Sequence, residues 1–144
     1  MSFRLLVVAK APIPGTVKTR LHLPPKDAAR LQAALIEDTV RKARAFAPTT
    51  VDDAPPGRLH LIRNLLPNEV PLLPQPEGDL GRKMLAGARA LFDRDPDPVL
   101  IVGTDAPTLP PQAIATAADS LNTHDLSIVP STDGGYVLLG LGGL

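Results

Sequence analysis

The stretch Leu5-Leu-Val-Val-Ala9-Lys10-Ala-Pro-Ile-Pro-Gly15-Thr-Val-Lys18-Thr-Arg20 decides how this chain folds. An unbroken apolar run, short enough for a buried strand, gives way to a loop shaped by Pro12, Pro14 and Gly15. A helix pattern follows. Strand, loop and helix in that order is how open α/β sheets hold a phosphate, with ligands at the carboxyl ends of the strands. Lys10, Lys18 and Arg20 set three cationic side chains beside backbone N–H groups that the turn frees, so the loop suits a polyanion. It is not a Walker loop, because that motif places a second glycine directly before Lys-Ser/Thr and here Gly15 precedes Lys18 by three. A charged, solvated surface loop accounts for the same residues equally well.

Working outward, Phe3 to Ala9 reads as a buried strand, and residues 25 to 47 as a helix whose apolar face is Leu31, Leu35, Ile36, Val40, Ala43 and Phe46. Arg41, Lys42 and Arg44 suit the negative pole at its end. The acidic, Pro-rich stretch Thr49 to Gly57 has room for a two- or three-residue strand before a turn, and residues 58 to 66 fit strand or helix. Val70 to Pro74 reads as a strand, and Asp79 to Phe92 as a helix with Leu80, Met84, Leu85, Ala88 and Leu91 inward. Pro98 to Gly103 is apolar throughout, the mark of a central parallel strand covered on both faces. Pro110-Pro111 opens a helix to about Leu121, and Leu126–Pro130 and Tyr136–Leu141 are two further strands. Strands alternating with helices predict a doubly wound α/β sheet, mostly parallel, with helices on both faces.

The 144 residues suffice for one domain with a real core. Fifteen basic and fifteen acidic residues cancel, which removes the electrostatic case for nonspecific nucleic-acid or anionic-membrane binding. Without cysteine there is no disulfide, thiolate zinc site or cysteine nucleophile. His22, His60 and His124 lie far apart without ligand spacing, so an expected metal is a hard ion on carboxylate oxygen, magnesium or manganese. The short apolar stretch before Lys10 fits neither a signal peptide nor a membrane span, which makes a cytoplasmic protein the expectation. Seventeen prolines fall mainly between the periodic segments.

Polar clusters follow three more strands. Gly103-Thr104-Asp105-Ala-Pro107 puts a carboxylate just past the central strand, where it can reach a ligand or, equally, cap the next helix. In Gln75-Pro-Glu-Gly78-Asp79-Leu-Gly81, the glycines let a flat ring approach the backbone and the Gln75 amide can pair with a nucleobase edge. A glycine turn with Asp79 as N-cap explains that segment as well. Ser131-Thr-Asp133-Gly-Gly-Tyr136 carries a hairpin-turn signal, and also a carboxylate and the lone tyrosine that could receive a hydroxylated acceptor.

These four segments, Ala9-Lys10-Ala-Pro-x-x-Gly15-x-Val-Lys18-Thr19-Arg20-Leu21, Gln75-x-x-Gly78-Asp79-Leu-Gly81, Gly103-Thr104-Asp105-Ala-Pro107 and Asp133-Gly-Gly-Tyr136, occur in that order. Together they resemble the bacterial selenodomain-associated transferases, grouped with arsenosugar-biosynthesis glycosyltransferases in the nucleotide-diphospho-sugar transferase superfamily of GT-A fold. The resemblance implies a Rossmann-like GT-A domain over residues 1–144 without the family's C-terminal segment. It implies that the 10–20 loop wraps a nucleotide, through Lys10, Gly15, Lys18, Thr19 and Arg20, with Lys18 and Arg20 on the phosphates. Gln75, Gly78 and Gly81 would lie near base and ribose, Asp79 and Thr104 would join the nucleotide-binding set, Asp105 would hold Mg2+ or Mn2+, and Asp133 would face the sugar or acceptor. The chain departs from the family after Gly81, where Arg82-Lys83 replaces an acidic residue and arginine.

The expected activity is transfer of a sugar from a nucleoside diphosphate sugar to a small acceptor, with Lys18, Arg20 and Asp133 as catalytic candidates. The alternatives are nucleotidyl transfer from a nucleoside triphosphate to a phosphorylated small molecule, and a nucleotide-binding module without catalysis. The apolar terminus Gly-Leu-Gly-Gly-Leu144 raises the expectation of a covering segment or a second subunit, hence a homo-oligomer.

Overall fold

A computed structural model describes residues 2–54 and 57–144. The element order is β1 (Arg4–Lys10), a short 3₁₀ turn (Thr19–Leu21), α1 (Pro25–Arg44), β2 (Thr49–Ala54), α2 (Leu59–Arg63), β3 (Leu72–Pro74), α3 (Leu80–Phe92), β4 (Val99–Val102), α4 (Pro111–Ser120), β5 (Leu126–Pro130) and β6 (Tyr136–Leu141). The six strands form one sheet in the order β3-β2-β1-β4-β6-β5. β1 pairs in parallel with β2 (Val7 opposite Val51) and with β4 (Leu6 opposite Ile101), and β2 in parallel with β3. β6 runs antiparallel to both β4 and β5. The sheet is therefore mixed and mostly parallel.

The alternation of side chains along each strand divides the core into two layers. On one face Leu5, Val7 and Ala9 of β1, Val51 of β2 and Leu100 and Val102 of β4 pack under α1, α2 and α4. On the other, Leu6, Val99 and Ile101 pack under Met84, Ala88 and Leu91 of α3. Gly87 lets α3 sit close: a Cβ there would stand 2.8 Å from Asp52 Oδ2 and 2.8 Å from Leu6 Cδ2, both on buried residues. At the strands' amino ends, Arg4 ties the α3–β4 connection down, donating to the carbonyls of Leu91 (2.6 Å), Asp95 (2.7 Å) and Asp97 (2.5 Å).

Several boundaries differ from expectation. The buried stripe of α1 is Ala28, Ala29, Gln32, Ile36, Val40 and Ala43, and the helix ends at Arg44, leaving Phe46 exposed. β2 has six residues where two or three were expected, because it is paired on both sides, by β1 and β3. Pro55 and Pro56, in the turn expected after it, lie outside the described residues. The ambiguous 58–66 segment holds the five-residue helix α2. Val70 is buried but precedes β3, and Leu80 and Leu85 of α3, expected inward, are exposed. The helix presents a narrow stripe to the sheet, and both leucines lie off it.

Candidate functional site

The sheet order places the site. The chain leaves β1 toward β2 on one side and leaves β4 toward β6 and β5 on the other, so the loops after β1 and β4 part at a topological switch point. The same sheet end carries the residues following β3 and the β5–β6 turn, because β6 begins where β4 ends, with Leu138 opposite Val102. The four sequence segments thus share one end of the sheet.

The loop after β1 is braced from within. Gly15 sits at φ +83°, Thr16 Oγ1 donates to the Ile13 carbonyl (2.7 Å), and Lys10 Nζ donates to the Thr16 carbonyl (2.7 Å). The Lys10 ammonium therefore serves the loop's own backbone. Gln32 of α1 holds the loop from beneath: its side chain is buried and Nε2 donates to the Lys10 carbonyl at 2.9 Å. Lys18 follows at φ +52°, a left-handed conformation unusual for a residue with a Cβ. Its ammonium crosses the switch point to Asp105 Oδ1 at 2.5 Å. Thr19 and Arg20 are exposed on the 3₁₀ turn, and among the described residues Arg20 makes no ion pair.

Asp105 is not a helix cap. α4 starts at Pro111 after Pro110, with no side-chain cap, and Asp105 stands in the loop before it with its carboxylate 79% exposed. Thr104 beside it is buried. Lys42 of α1 fastens this second loop through the Pro107 carbonyl (2.8 Å). Among the described residues no group of three or more His, Cys, Asp and Glu gathers as a metal cage. One exposed carboxylate is still a donor set that magnesium uses when phosphates and water complete its shell. The Lys18 ammonium on Oδ1 also shows that a cation is accommodated there. The residues fit a metal shared with a phosphate ligand, and not a metal held by protein alone.

Gln75 follows β3 directly and is buried, yet neither Oε1 nor Nε2 has a hydrogen-bond partner. A buried amide left unpaired is costly, about 1–3 kcal/mol, and a water or a bound molecule offering a donor and an acceptor would relieve that cost. Gly78 at φ +132° and Gly81 are exposed around the start of α3. Asp79 caps that helix, accepting from the Arg82 amide at 2.8 Å, so its carboxylate is engaged in structure.

Asp133 is likewise held by its turn. It accepts from the Ser131 hydroxyl and from the Gly135 amide (3.1 Å), inside a hairpin closed by Ser131 N–H to the Gly135 carbonyl (3.0 Å). These bonds, the Ser131 hydroxyl first, hold its carboxyl below the usual range. Tyr136 Oη lies 3.7 Å from Met84 Sδ, which brings the hairpin against the first turns of α3. A groove of about 540 Å³ lies elsewhere, between α4 and the β5 edge, and none of Lys18, Arg20, Gln75 or Asp105 lines it.

Sequence reasoning passed over Gln32, although a glutamine four residues from both Ala28 and Ile36 on a buried stripe was a readable signal. It also took Lys42 only as a complement to the helix pole.

A mixed, mostly parallel sheet with its polar loops gathered at this switch point is the fold of the nucleotide-diphospho-sugar transferases. Residues 39–143 match the family described as "Uncharacterized protein conserved in bacteria (DUF2064)", and the chain belongs to that family. No curated protein matches it. Among solved structures, a protein from Desulfovibrio desulfuricans provisionally described as a nucleotide-diphospho-sugar transferase is 31% identical, with a TM-score of 0.88 over 98% of this chain. This chain spans 64% of that one. A 4-diphosphocytidyl-2C-methyl-D-erythritol synthase shares the fold at 13% identity and a TM-score of 0.63, covering 99% of this chain and 76% of its own. The Rv0371c protein of Mycobacterium tuberculosis, in complex with manganese, does so at 14% identity and a TM-score of 0.62, covering 96% and 70%. Among the described residues no helix is long and apolar enough to cross a membrane.

Proposed function

We propose that this chain is the nucleotide-binding part of a transferase that takes a nucleoside diphosphate sugar together with Mg2+ or Mn2+ and moves the sugar to a small acceptor. The observation that carries this reading is the Lys18–Asp105 contact across the β1/β4 switch point, at 2.5 Å. It brings a phosphate-type cation and a metal-type carboxylate together where α/β sheets bind nucleotides. Support comes also from the unpaired, buried Gln75 amide, a partner for a nucleobase edge. The motif resemblance to selenodomain-associated transferases points the same way.

In such a transfer an acceptor oxygen forms a bond to the anomeric carbon as the bond from that carbon to the β-phosphate oxygen breaks. The acceptor proton is released and the nucleoside diphosphate leaves. Lys18 and Arg20 would meet the charge growing on the departing diphosphate, the place where fixed positive groups accelerate reaction most. A bound divalent ion adds to that neutralisation. Asp133, a firmly ionised carboxylate, suits orienting an acceptor hydroxyl more than removing its proton.

Nucleotidyl transfer is the second reading, favoured by the fold shared with a diphosphocytidyl synthase. The two separate by product: sugar transfer releases a nucleoside diphosphate, nucleotidyl transfer releases pyrophosphate. The test is a thermal-shift screen of nucleoside triphosphates and nucleotide sugars with and without Mn2+, followed by product analysis of each stabilising ligand. Stabilisation by nucleotide sugars with release of nucleoside diphosphate supports the first reading. Stabilisation without turnover leaves a binding module, and no nucleotide-dependent shift overturns both.

A further inference from the structure

We propose that Lys18 is a resident counter-ion for Asp105, displaced only when a metal ion and a phosphate arrive together, so that the two ligands bind cooperatively and each alone binds poorly. This rests on the reading of Asp105 as metal ligand and of Lys18 as phosphate ligand. Lys18 Nζ stands 2.5 Å from Asp105 Oδ1, the ammonium side chain being 16% exposed and the carboxylate 79%. A divalent ion binds a carboxylate oxygen at about 2.0–2.1 Å, so a metal on Asp105 would stand within a few ångströms of the ammonium, and the two positive charges repel.

The consequences for each ligand follow from charge. A metal arriving alone pushes the ammonium from the one carboxylate it pairs with among the described residues, and leaves that cation beside the metal. A phosphate arriving alone can meet Arg20, but it gains Lys18 only by drawing the ammonium away and leaving the Asp105 carboxylate facing another anion. When both arrive, the metal takes the carboxylate and the ammonium takes the phosphate. The carboxylate, the ammonium, a divalent ion and the diphosphate of a nucleotide sugar then sum to no net charge. The Lys10 ammonium donates to the Thr16 carbonyl at 2.7 Å and takes no part in the exchange at Asp105. The left-handed backbone of Lys18, φ +52°, is a conformation that side-chain-bearing residues keep when something holds them in it.

The test uses Mn2+, followed by loss of its free-ion EPR signal, and radiolabelled inorganic pyrophosphate, followed by equilibrium dialysis. In the unmodified protein Mn2+ alone should bind weakly, and pyrophosphate retention should rise by about tenfold when Mn2+ is present, within the usual span of coupling between sites. Lys18→Met should bind Mn2+ alone about tenfold more tightly and lose most of the Mn2+-dependent gain in pyrophosphate. Lys18→Gly, which the positive φ favours, is the second variant and should behave alike. Lys18→Arg keeps a cation on the carboxylate and should keep the original weak Mn2+ binding. Adding Asp105→Asn to Lys18→Met should remove the gained Mn2+ affinity.

If Lys18→Met and Lys18→Gly bind Mn2+ no more tightly, while Asp105→Asn lowers Mn2+-dependent pyrophosphate retention, the exchange is overturned and the reading of Asp105 stands. If Asp105→Asn leaves that retention unchanged, the reading of Asp105 falls and the exchange with it.

Discussion

At the scale of single residues, the site is set by which polar groups are already occupied. The Lys10 ammonium is taken by the Thr16 carbonyl and the Asp79 carboxylate by the Arg82 amide, whereas Arg20 is exposed on its 3₁₀ turn. Arg20→Ala should therefore weaken a nucleoside diphosphate by about 1.5–3 kcal/mol, the range of a charge-assisted contact. The bare nucleoside should be little affected. Isothermal titration with both ligands checks this, and equal losses would move Arg20 off the phosphates. Asp133 gives a pH prediction. Its carboxyl is held below its ordinary value, first by the Ser131 hydroxyl and then by the Gly135 amide. A depressed carboxyl pKa stabilises the fold above the unfolded-state value, and that contribution is lost as pH falls through the folded-state value. The hairpin should thus be fully supported at neutral pH and loosen only in acid below the usual aspartate range. In an NMR titration, Ser131→Ala should move the Asp133 midpoint up toward that range, and an unmoved midpoint would remove the hydroxyl as the cause.

Among elements, the tightest fit is between α3 and the sheet. Gly87 faces Asp52 and Leu6, and a Cβ would meet both at 2.8 Å, with neither residue able to move aside into solvent. Overpacking costs about 1–3 kcal/mol, and two contacts this short put Gly87 in the upper part of that range, about 2–3 kcal/mol. Alanine returns about 1 kcal/mol of helix propensity. Gly87→Ala should therefore lose about 1–2 kcal/mol net, seen as a fall in Tm of about 2–8 °C. An unchanged or higher Tm would mean that α3 can lift from the sheet without loss. The loops on either side of the switch point are held from a single helix, by Gln32 on the Lys10 carbonyl and Lys42 on the Pro107 carbonyl. Both the loop carrying Lys18 and the loop carrying Asp105 are thus tied to α1.

Over the whole molecule, the two faces of the sheet are unequally covered. α1, α2 and α4 spread over one face, while α3 stands over the other and packs on β1 and β4. Beyond it, Leu126 and Ile128 of β5 are 56% and 57% exposed, on the face they share with the half-buried Leu139 and Leu141 of β6. Tyr136 is exposed at the same strand's start. Exposed apolar area of this kind binds hydrophobic dyes. Ile128→Lys should lower anilinonaphthalene sulfonate fluorescence while changing stability by no more than about 0.5 kcal/mol, as surface substitutions do. A large loss of stability would show that Ile128 packs more closely than its exposure indicates.

What the chain's own order of residues determined was local. Apolar runs marked β1 and β4, the 3.6-residue stripe marked α1, Asp79 marked a helix start, and Asp133-Gly marked a hairpin. Each of these depends on neighbours a few positions away, so each is written in a short window. Strand alternation likewise made the α/β class legible, and the motifs marked the polar segments that follow β1, β3 and β4. Tertiary structure decided the rest. It set β6 antiparallel between β4 and β5, and so brought the Asp133 hairpin to the end of the sheet where β4 finishes. It turned Gln32 inward to the loop, and it gave Lys10, Asp79 and Asp133 hydrogen-bond partners within their own loops and turns. Above all it joined Lys18 to Asp105, residues 87 positions apart. No local window holds that contact, because it exists only once β1 and β4 lie side by side in the sheet.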